Sequence, residues 1–296
     1  MEYGSQEPES IGVDLDKDRF EGQNLNGEPG YFDKLERVFI SRKALEQLIL
    51  AVRPPLSHAL EVDIEQTLEK SRSRVAQNLK TISSLGKDSY SQVFLTYLSH
   101  SFLIRDKSKR ELMAILYIDL VGSTAMSAII SPEQLTTIVR IFCQEMSILI
   151  SRHRGYVLKY AGDAVIGYFP VDPDIETACE NAIMCAFAMS HTIEGSINVV
   201  LAENSYPKMR TRITIDAGQN QIILLGSEPD LLGHVVSRAA KIMVRARPNQ
   251  IAIGANVYSH IKKNMKEKFQ EVEKYRLAET GEAYSIYASV EQTDLG

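Results

Sequence analysis

The feature that most constrains the fold is a nearly continuous apolar run at residues 112–119, LMAILYID, which ends in Asp119. A run of this length, followed by a turn at Gly122, is typical of a β-strand that is buried on both faces. The run therefore predicts an interior strand of a sheet, with a carboxylate at the end of the strand.

A second carboxylate follows in a predicted hairpin. Residues 156–160 and 164–169 are short runs rich in Val, Ile, Tyr and Phe, and a Gly162-Asp163 pair lies between them. Gly-Asp between two such runs predicts a tight turn. Carboxylates at a hairpin tip and at a neighbouring strand end can lie close together, and they repel unless a cation lies between them. Hard oxygen ligands without His or Cys favour Mg²⁺ or Mn²⁺ together with substrate phosphates. Asp119 and Asp163 thus predict a divalent metal site for a nucleoside triphosphate; for either aspartate alone, a turn-forming role is the alternative.

Four motifs follow one another along the chain: YIDLVGST, GYVLKYAGDAVIGYF, RITIDAGQNQIILLG and DLLGHVVSRAAKI. Together they resemble the catalytic domain of class III nucleotidyl cyclases, the adenylyl and guanylyl cyclase superfamily, over residues 111–290. The resemblance implies that Asp119 and Asp163 hold two Mg²⁺ or Mn²⁺ ions. It also implies that the ribose 3′-hydroxyl of a bound nucleoside triphosphate attacks the α-phosphate, which yields a 3′,5′-cyclic nucleotide and pyrophosphate. The turn after the first strand is expected to cradle phosphate oxygens through its backbone amides. The amides expected in this role are those of residues 120–124, among which Gly122, Ser123 and Thr124 are the candidate substrate-binding residues.

The resemblance also assigns the selection of the base. Adenylyl cyclases of this family typically read adenine with a Lys four residues before the second metal Asp and with an Asp or Thr ahead of a later helix. Lys159 and Asp230 occupy those positions. Guanylyl cyclases typically carry Glu and Cys there, so ATP is the expected substrate. The alternatives are that Lys159 is a solvated strand residue and that Asp230 is the N-cap of a helix that begins at residue 231.

Three positions depart from the family pattern. The family usually holds the ribose and the α-phosphate with an Asn and, four residues later, an Arg on the last motif; this chain has Ser237 and Lys241. A donor and a positive charge remain, but the oriented amide and the planar guanidinium are lost. A phosphate-directed Lys of the family aligns with Ala278, for which Arg276 is the expected substitute. Loss of an oriented charge contact of roughly 1–3 kcal/mol slows a reaction by about 10- to 100-fold, so a slow enzyme is expected. Structural or solvent-facing positions are expected for the other basic residues near this helix, His234, Arg238, Arg245 and Arg247.

The order strand, helix, two strands, helix, strand predicts a ferredoxin-like α+β sandwich, βαββαβ. Helices are predicted at residues 132–154 and 175–194, and further strands at residues 212–217, 222–225, 251–253, 275–277 and 284–288. In the resembled family the site lies between two such domains arranged head to tail. One copy per chain therefore implies a homodimer, in which Ser237 and Lys241 of one subunit face the metal ions of the other.

The chain before the cyclase-like part divides into two predicted regions. Residues 1–30 mix Gly, Ser, Asn, Pro and Glu, which predicts a disordered acidic tail. Residues 31–105 have a helical pattern, broken at Pro54-Pro55, with an apolar stripe that runs from Ile64 to Ile82. They are predicted to form a regulatory or dimerising helical region, and a plain packing extension is the alternative.

Composition excludes several classes of protein. A net charge of −5 argues against nucleic acid as a main partner. No apolar run reaches about 18 residues and no signal peptide opens the chain, so no membrane insertion is expected. The three cysteines fall on predicted helices, which favours reduced core residues in a cytoplasmic protein.

Three functions stay open from the sequence. The first is a cyclase that makes cyclic AMP. The second is a cyclase of the same fold that makes a cyclic pyrimidine nucleotide, cyclic CMP or cyclic UMP, against which Lys159 and Asp230 argue. The third is a degenerate cyclase domain that binds nucleotide for regulation, as Ser237, Lys241 and Ala278 suggest.

Overall fold

The computed structural model describes residues 15, 17–34, 37–52, 60–80, 90–105, 110–226, 228–277 and 280–290. The strands are β1 (Phe20–Leu25), β2 (Glu28–Asp33), β3 (Val38–Ser41), β4 (Arg110–Leu120), β5 (Tyr156–Ala161), β6 (Ala164–Pro170), β7 (Thr211–Leu225), β8 (Glu228–Leu232), β9 (Gln250–Gly254), β10 (Phe269–Arg276) and β11 (Ala283–Ser289). The helices are α1 (Arg42–Val52), α2 (Leu60–Lys80), α3 (Tyr90–Arg105), α4 (Ser123–Met126), α5 (Pro132–Arg152), α6 (Ile175–Thr192), α7 (Asn198–Glu203), α8 (His234–Met243), α9 (Ala255–His260) and α10 (Lys263–Lys266). A π-helix, Ile193–Ile197, lies between α6 and α7.

The main sheet has the strand order β10-β11-β9-β7-β4-β6-β5, and β8 pairs with the outer half of β7. Neighbouring strands are antiparallel except for β7 and β9, which are parallel. The chain order β4-α5-β5-β6-α6-β7 confirms the predicted ferredoxin-like α+β fold. Two elements differ from the prediction: the strands expected at residues 212–217 and 222–225 form one continuous strand, and the second helix gives way to the π-helix after Thr192.

Strand β4 is covered on both faces, as its apolar run predicts. Leu116 and Ile118 belong to the large core cluster, to which α5 and α6 contribute, whereas Met113 and Ile115 belong to a second cluster with residues of β5, β6 and α8. Alternate residues of a strand point to opposite faces. Asp119 therefore lies on the same face as Met113 and Ile115, which we call the α8 face.

A long hairpin, here called the arm, consists of residues 221–225 of β7 and strand β8. Strand β7 pairs with β4 as far as Gln221 and with β9 as far as Ile215, whereas residues 222–225 extend beyond both strands and pair with β8. Gly218 lies just before the arm and has a φ of 151°, which L-residues with a side chain rarely adopt. A Cβ atom at Gly218 would lie 2.9 Å from the side chain of Val235 in α8. Glycine at this position thus permits β7 to pass close to α8, and β8 then contacts α3.

The prediction of a disordered tail over residues 1–30 is wrong for residues 20–30. They form β1 and most of β2, which are joined by a turn at Asn26 and Gly27 with φ values of 55° and 87°. Positive φ at both central residues is the requirement of a type I′ hairpin turn, which Asn-Gly satisfies best. The predicted helical region likewise begins with strands, because β2 and β3 occupy residues up to Ser41 and form a separate sheet with β1. Residues 1–14 lie outside the described residues.

Helix α2 packs against the cyclase-like part of its own chain. Val75 and Leu79 of the predicted apolar stripe are buried. Arg74 donates two hydrogen bonds, of 2.8 and 2.7 Å, to the carboxylate of Glu145 in α5. This part of the stripe is used within the chain, as the packing-extension alternative requires. Three residues of that prediction lie outside the described residues: Pro54, Pro55 and Ile82.

The helical stretch from Ile175 to Glu203 is long and apolar enough, by length and composition, to cross a membrane, and no second such helix occurs among the described residues. More than half of its most apolar window is buried inside the fold, and core helices of folded domains commonly meet the same criteria. The cysteines Cys143, Cys179 and Cys185 are buried and unpaired, as predicted. Burial raises the pKa of the Cys143 and Cys179 thiols to about 12.

Candidate active site

The structure brings Asp119 and Asp163 to the same edge of the main sheet. Asp119 is the cross-strand partner of Ala164, the residue after Asp163. Gly162, with a φ of 65°, and Asp163 form the two-residue turn between β5 and β6. Burial raises the pKa of Asp119, and the negative charge of Asp163 raises it further, which is the signature of two carboxylates close enough to repel. A hydrogen bond from Arg212 acts on this pKa in the opposite direction.

Arg212 is a residue of this site that the sequence reasoning missed. It lies directly across from Asp119 in the antiparallel pair of β4 and β7, and its Nη2 donates a hydrogen bond of 2.8 Å to Asp119 Oδ2. Its Nε is buried and has no hydrogen-bond partner. A donor of this kind is costly to bury without an acceptor, so the guanidinium has spare capacity for an anionic oxygen. The sequence feature that could have identified Arg212 is its position at the start of RITIDAG, because that strand, β7, pairs with β4.

The donor set fits a magnesium or manganese ion. Across the described ranges, no group of three or more His, Cys, Asp or Glu side chains is arranged to hold a metal ion. A cation at Asp119 and Asp163 would therefore have two carboxylate ligands, and its remaining ligands would be oxygens of the backbone, of water or of substrate phosphates. That combination is typical of Mg²⁺, which retains waters and binds substrate phosphates. The guanidinium of Arg212 on Asp119 shows that the site already accepts positive charge.

The turn after β4 offers fewer amides than expected. Val121 donates its N–H to the carbonyl of Arg210 at 2.8 Å, so this amide is already used. Gly122 has a left-handed φ of 80° and precedes the short helix α4, which starts at Ser123. The predicted phosphate cradle is thereby narrowed to residues 122–124, with Gly122 required by the backbone conformation.

Lys159 and Asp230 meet, although they are far apart in the sequence. Lys159 Nζ lies 2.6 Å from Asp230 Oδ2, and Asp230 Oδ1 accepts a hydrogen bond from its neighbouring amide, Leu231 N, at 2.8 Å. The arm carries Asp230 to strand β5, where Lys159 projects. The N-cap alternative for Asp230 is wrong, because residues 228–232 form β8 and helix α8 begins at His234, with Gly233 as its N-cap.

Tyr117 shares the α8 face with this ion pair, because Ile166 of β6 is the cross-strand partner of both Tyr117 and Lys159. It is two residues before Asp119 on β4 and packs, partly buried, against the cluster of the α8 face. Burial raises the pKa of the Tyr117 hydroxyl, and the negative charge of Asp230 raises it further. The sequence reasoning did not single out Tyr117, because its proximity to Asp230 depends on the path of the arm.

Ser237 and Lys241 lie one turn apart on α8, Ser237 exposed and Lys241 partly exposed. The helix is fixed to the sheet by Thr214, whose hydroxyl donates to the carbonyl of Ala239 at 3.0 Å. Arg245, just after α8, donates to the carbonyl of Lys241 at 2.8 Å, which agrees with the expected structural position of Arg245. The structure thus leaves Ser237 and Lys241 on a helix whose opposite side is anchored.

Arg238 points toward Asp216 of strand β7 rather than toward Asp119 and Asp163. Its Nε donates to Asp216 Oδ2 at 2.6 Å, and Tyr284 donates its hydroxyl to Asp216 Oδ1 at 2.6 Å. Desolvation lowers the pKa of Arg238, but the Asp216 carboxylate outweighs that effect and leaves the pKa raised. Burial raises the pKa of Asp216, and it outweighs the charge of Arg238 and the hydrogen bonds to the carboxylate, which act in the opposite direction. We regard the pair as ionised because three donors, including the amide of Ala217, converge on one carboxylate.

Arg276, the expected substitute for the family lysine, lies at the end of β10. Its Nη1 donates to the carbonyl of Gly281 at 3.0 Å, across the hairpin that joins β10 and β11. Ala278 lies outside the described residues. A phosphate contact of Arg276 stays a prediction.

Comparison with known proteins gives this geometry a context. A sequence model of the adenylate and guanylate cyclase catalytic domain matches residues 106–288. Putative adenylate cyclase 3 of Rhizobium meliloti (strain 1021) is 25% identical over 159 residues, which are 54% of this chain and 25% of that protein. Adenylate cyclase 1 of the same organism is 23% identical over 137 residues, or 45% of this chain and 20% of that protein. The chain spans only a quarter or less of the length of these curated relatives.

Solved structures establish the fold. The adenylyl cyclase CyaB from P. aeruginosa aligns with a TM-score of 0.56 and 20% identity, over 64% of this chain and all of that one. The guanylyl cyclase Cya2 aligns with a TM-score of 0.55 and 18% identity, over 64% of this chain and 98% of that one. Both alignments cover a share of the chain similar to that of the sequence match.

Proposed function

Since the chain belongs to the family of adenylate and guanylate cyclase catalytic domains, we propose that it converts ATP into 3′,5′-cyclic AMP and pyrophosphate. The reaction uses two divalent ions, Mg²⁺ or Mn²⁺, at sites formed between two copies of the chain. The observation that carries the proposal is the meeting of Asp119 and Asp163 at one sheet edge, with the Arg212 guanidinium on Asp119.

The chain's own residues supply binding and orientation. Asp119 and Asp163 would hold the ions, which, when bound, make the ribose 3′-hydroxyl more acidic and offset charge on the phosphates. Arg212 would turn its unpartnered Nε and its Nη2 toward the triphosphate once a metal ion replaces it on Asp119. A guanidinium suits this role because its planar fork can bind phosphate oxygens in pairs. The amides of residues 122–124 would contact the same phosphates.

The choice of ATP rests on Lys159 and Asp230. The ammonium group of Lys159 can donate to a ring nitrogen of adenine, and the carboxylate of Asp230 can accept from the exocyclic amino group. Guanine presents a carbonyl oxygen where adenine presents its amino group, so a carboxylate there disfavours GTP. The matched structures include adenylyl and guanylyl cyclases by name, so the base assignment depends on these two side chains alone.

The dimer completes the site in this proposal. Ser237 and Lys241 of one copy would reach the ribose and the α-phosphate held by the metal aspartates of the other copy. The anchored position of α8 and the exposure of Ser237 support that arrangement. Because a serine hydroxyl and a flexible ammonium replace an oriented amide and a guanidinium, the chemical step is slow.

The test is incubation of the purified full chain with ATP, GTP, CTP and UTP in Mn²⁺, with cyclic products identified by mass spectrometry. We expect cyclic AMP from the wild type and no product above background from Asp163→Ala. The matched control is Glu203→Ala, which removes an exposed carboxylate at the end of α7 and should leave the rate unchanged.

Other outcomes assign the site differently. A cyclic pyrimidine nucleotide as the main product would overturn the base assignment of Lys159 and Asp230. ATP binding without any cyclic product would identify a regulatory nucleotide-binding domain, the function that the Ser237 and Lys241 departures favour. Sedimentation of the full chain as a monomer under assay conditions would overturn the shared site.

A further inference from the structure

Three neighbouring strands place Lys159, Ile166 and Tyr117 in one row on the α8 face. Lys159 of β5 is the cross-strand partner of Ile166 in β6, and Ile166 is the partner of Tyr117 in β4. Strands in a sheet lie about 4.8 Å apart, so the backbones of Lys159 and Tyr117 are about 10 Å apart. Ile166 is buried between them and forms an apolar floor.

Asp230 comes to this row from outside the three strands. The arm carries it over the row, where its Oδ2 lies 2.6 Å from Lys159 Nζ. Leu231, the residue after Asp230, is buried in the cluster of the α8 face, and Tyr117 packs against the same cluster. The charge of Asp230 also acts on the Tyr117 hydroxyl, whose pKa it raises. Lys159, Asp230 and Tyr117 therefore form a polar corner above an apolar floor, which is the composition of a pocket for a flat heterocycle.

The hydroxyl of Tyr117 is the unused donor of this corner. The ring is partly buried against the cluster of the α8 face, and among the described residues no hydrogen bond to its hydroxyl is present. Lys159, by contrast, is engaged with Asp230. A phenol can donate one hydrogen bond to a carboxylate, and such charge-assisted bonds are stronger than those between neutral groups.

Binding of a base changes which donor Asp230 has. If Lys159 turns its ammonium group toward a ring nitrogen, Asp230 Oδ2 loses its partner, whereas Oδ1 keeps the amide of Leu231. A partly desolvated carboxylate without a donor is costly and free to rotate. Tyr117 is the neighbouring donor that can take the place of Lys159.

We propose that Tyr117 is a positioning residue for base selection: its hydroxyl donates to Asp230 while Lys159 engages the base, and it thereby holds the carboxylate toward the exocyclic amino group of adenine. The inference rests on the proposed function only in that Lys159 and Asp230 form the base pocket. It does not require that the chain turn over its nucleotide.

The experiment measures base preference without catalysis. Binding of 3′-deoxy-ATP and 3′-deoxy-GTP, which lack the attacking hydroxyl, is followed by titration calorimetry in Mn²⁺ on the full-length chain. Tyr117→Phe removes one oxygen and keeps the ring, and thermal unfolding checks that the fold is retained. The matched control is Tyr287→Phe, on β11, where the ring stacks on Tyr258.

The expected result is a fall in the preference for the adenine analogue of about 10- to 150-fold in Tyr117→Phe, the size of one hydrogen bond to a charged group. The control should keep the wild-type preference. In an Asp230→Ala background, Tyr117→Phe should cause no further change, because its effect passes through that carboxylate.

Two results would overturn the inference: an unchanged preference in Tyr117→Phe, or effects of Tyr117→Phe and Asp230→Ala that multiply. A wild type that binds both analogues equally, or neither, also overturns it, because no base-selective pocket would then exist. A wild type that prefers the adenine analogue but forms no cyclic product from ATP would instead remove the proposed enzyme activity and leave the role of Tyr117 standing.

Discussion

Two arginine–aspartate pairs use residues of strand β7, and they differ in what surrounds them. At the sheet edge Arg212 lies 2.8 Å from Asp119, with 28% and 20% of their side chains exposed. Four residues further along β7, Asp216 lies 2.6 Å from Arg238 of α8, with 0% and 12% exposed. The chemistry of the two contacts is the same, so their environments must separate their roles.

The difference lies in the bonding capacity that each pair leaves unused. Asp216 also accepts hydrogen bonds from Tyr284 and from the amide of Ala217, so its carboxylate is saturated. Arg212 keeps a buried Nε without a partner, and Asp119 is next to a second carboxylate. A saturated buried pair fixes α8 to the sheet, whereas an unsaturated pair at the edge can exchange its partners for a ligand.

The largest expected effect concerns Asp119 and Arg212, here called the edge pair, where a substitution should change activity but not stability. Asp119→Asn should reduce cyclic-nucleotide formation by about 10³-fold or more, equivalent to about 4 kcal/mol of transition-state stabilisation, because it removes a proposed metal ligand. The free energy of unfolding should not fall, since the charged form of Asp119 is disfavoured in the folded chain. Turnover assays and urea unfolding measure the two quantities, and a destabilised variant would contradict the assignment of this pair to ligand binding.

The interior pair, Asp216 and Arg238, should affect the stability of the fold rather than ligand binding. Asp216→Ala leaves Arg238 buried without a counter-charge and should lower the free energy of unfolding by about 3–5 kcal/mol. Urea denaturation provides the value. The double variant Asp216→Leu with Arg238→Met should recover much of the loss, because it leaves no unpaired charge. If the free energy of unfolding of Asp216→Ala fell by less than about 1 kcal/mol, the pair would not be what holds α8 on the sheet.

Arg212→Met should change substrate binding with little change in stability. We expect KM for ATP to rise by about 10- to 100-fold, the size of a contact between a guanidinium and phosphate. The free energy of unfolding should change by less than about 1 kcal/mol, because an ion pair that is partly open to solvent contributes little. In steady-state kinetics, the KM of Arg212→Lys for ATP should lie between the values of the wild type and Arg212→Met. Equal KM values in all three proteins would refute a phosphate contact.

The smallest effect is the pH dependence of the edge pair. The pKa of Asp119 is raised in the folded chain, so its contribution to stability is present at acid pH and is lost as the pH rises through that raised pKa. Asp119→Asn cannot lose a proton at this position. The stability of the variant relative to the wild type, measured by urea unfolding in the absence of metal between pH 4 and pH 8, should therefore increase with pH by less than about 1 kcal/mol. A decrease would mean that Arg212 outweighs burial and Asp163.

Local patterns account for the parts of the site that the sequence predicted. The apolar run before Asp119 and the Gly162-Asp163 turn each fix a short piece of structure, and their sum places two carboxylates at one edge. The same type of signal was overlooked at Asn26-Gly27, where a favoured hairpin turn lies inside a segment of low apolar content. Composition misled there, because five of the six residues of β1 are exposed and such a strand needs few apolar residues.

The sequence by itself determined the order β4-α5-β5-β6-α6-β7, the covered strand β4 and the identity of the carboxylate at its end, because hydrophobic period and turn chemistry act over a few residues. Only the tertiary structure decided which partners the charged residues have. Arg212 is bonded to Asp119 and Arg238 to Asp216. The arm brings Asp230 to Lys159. These contacts join residues far apart in the chain. They depend on strand register and on the path of a hairpin, which are set by packing across the whole sheet and leave no local pattern in the sequence.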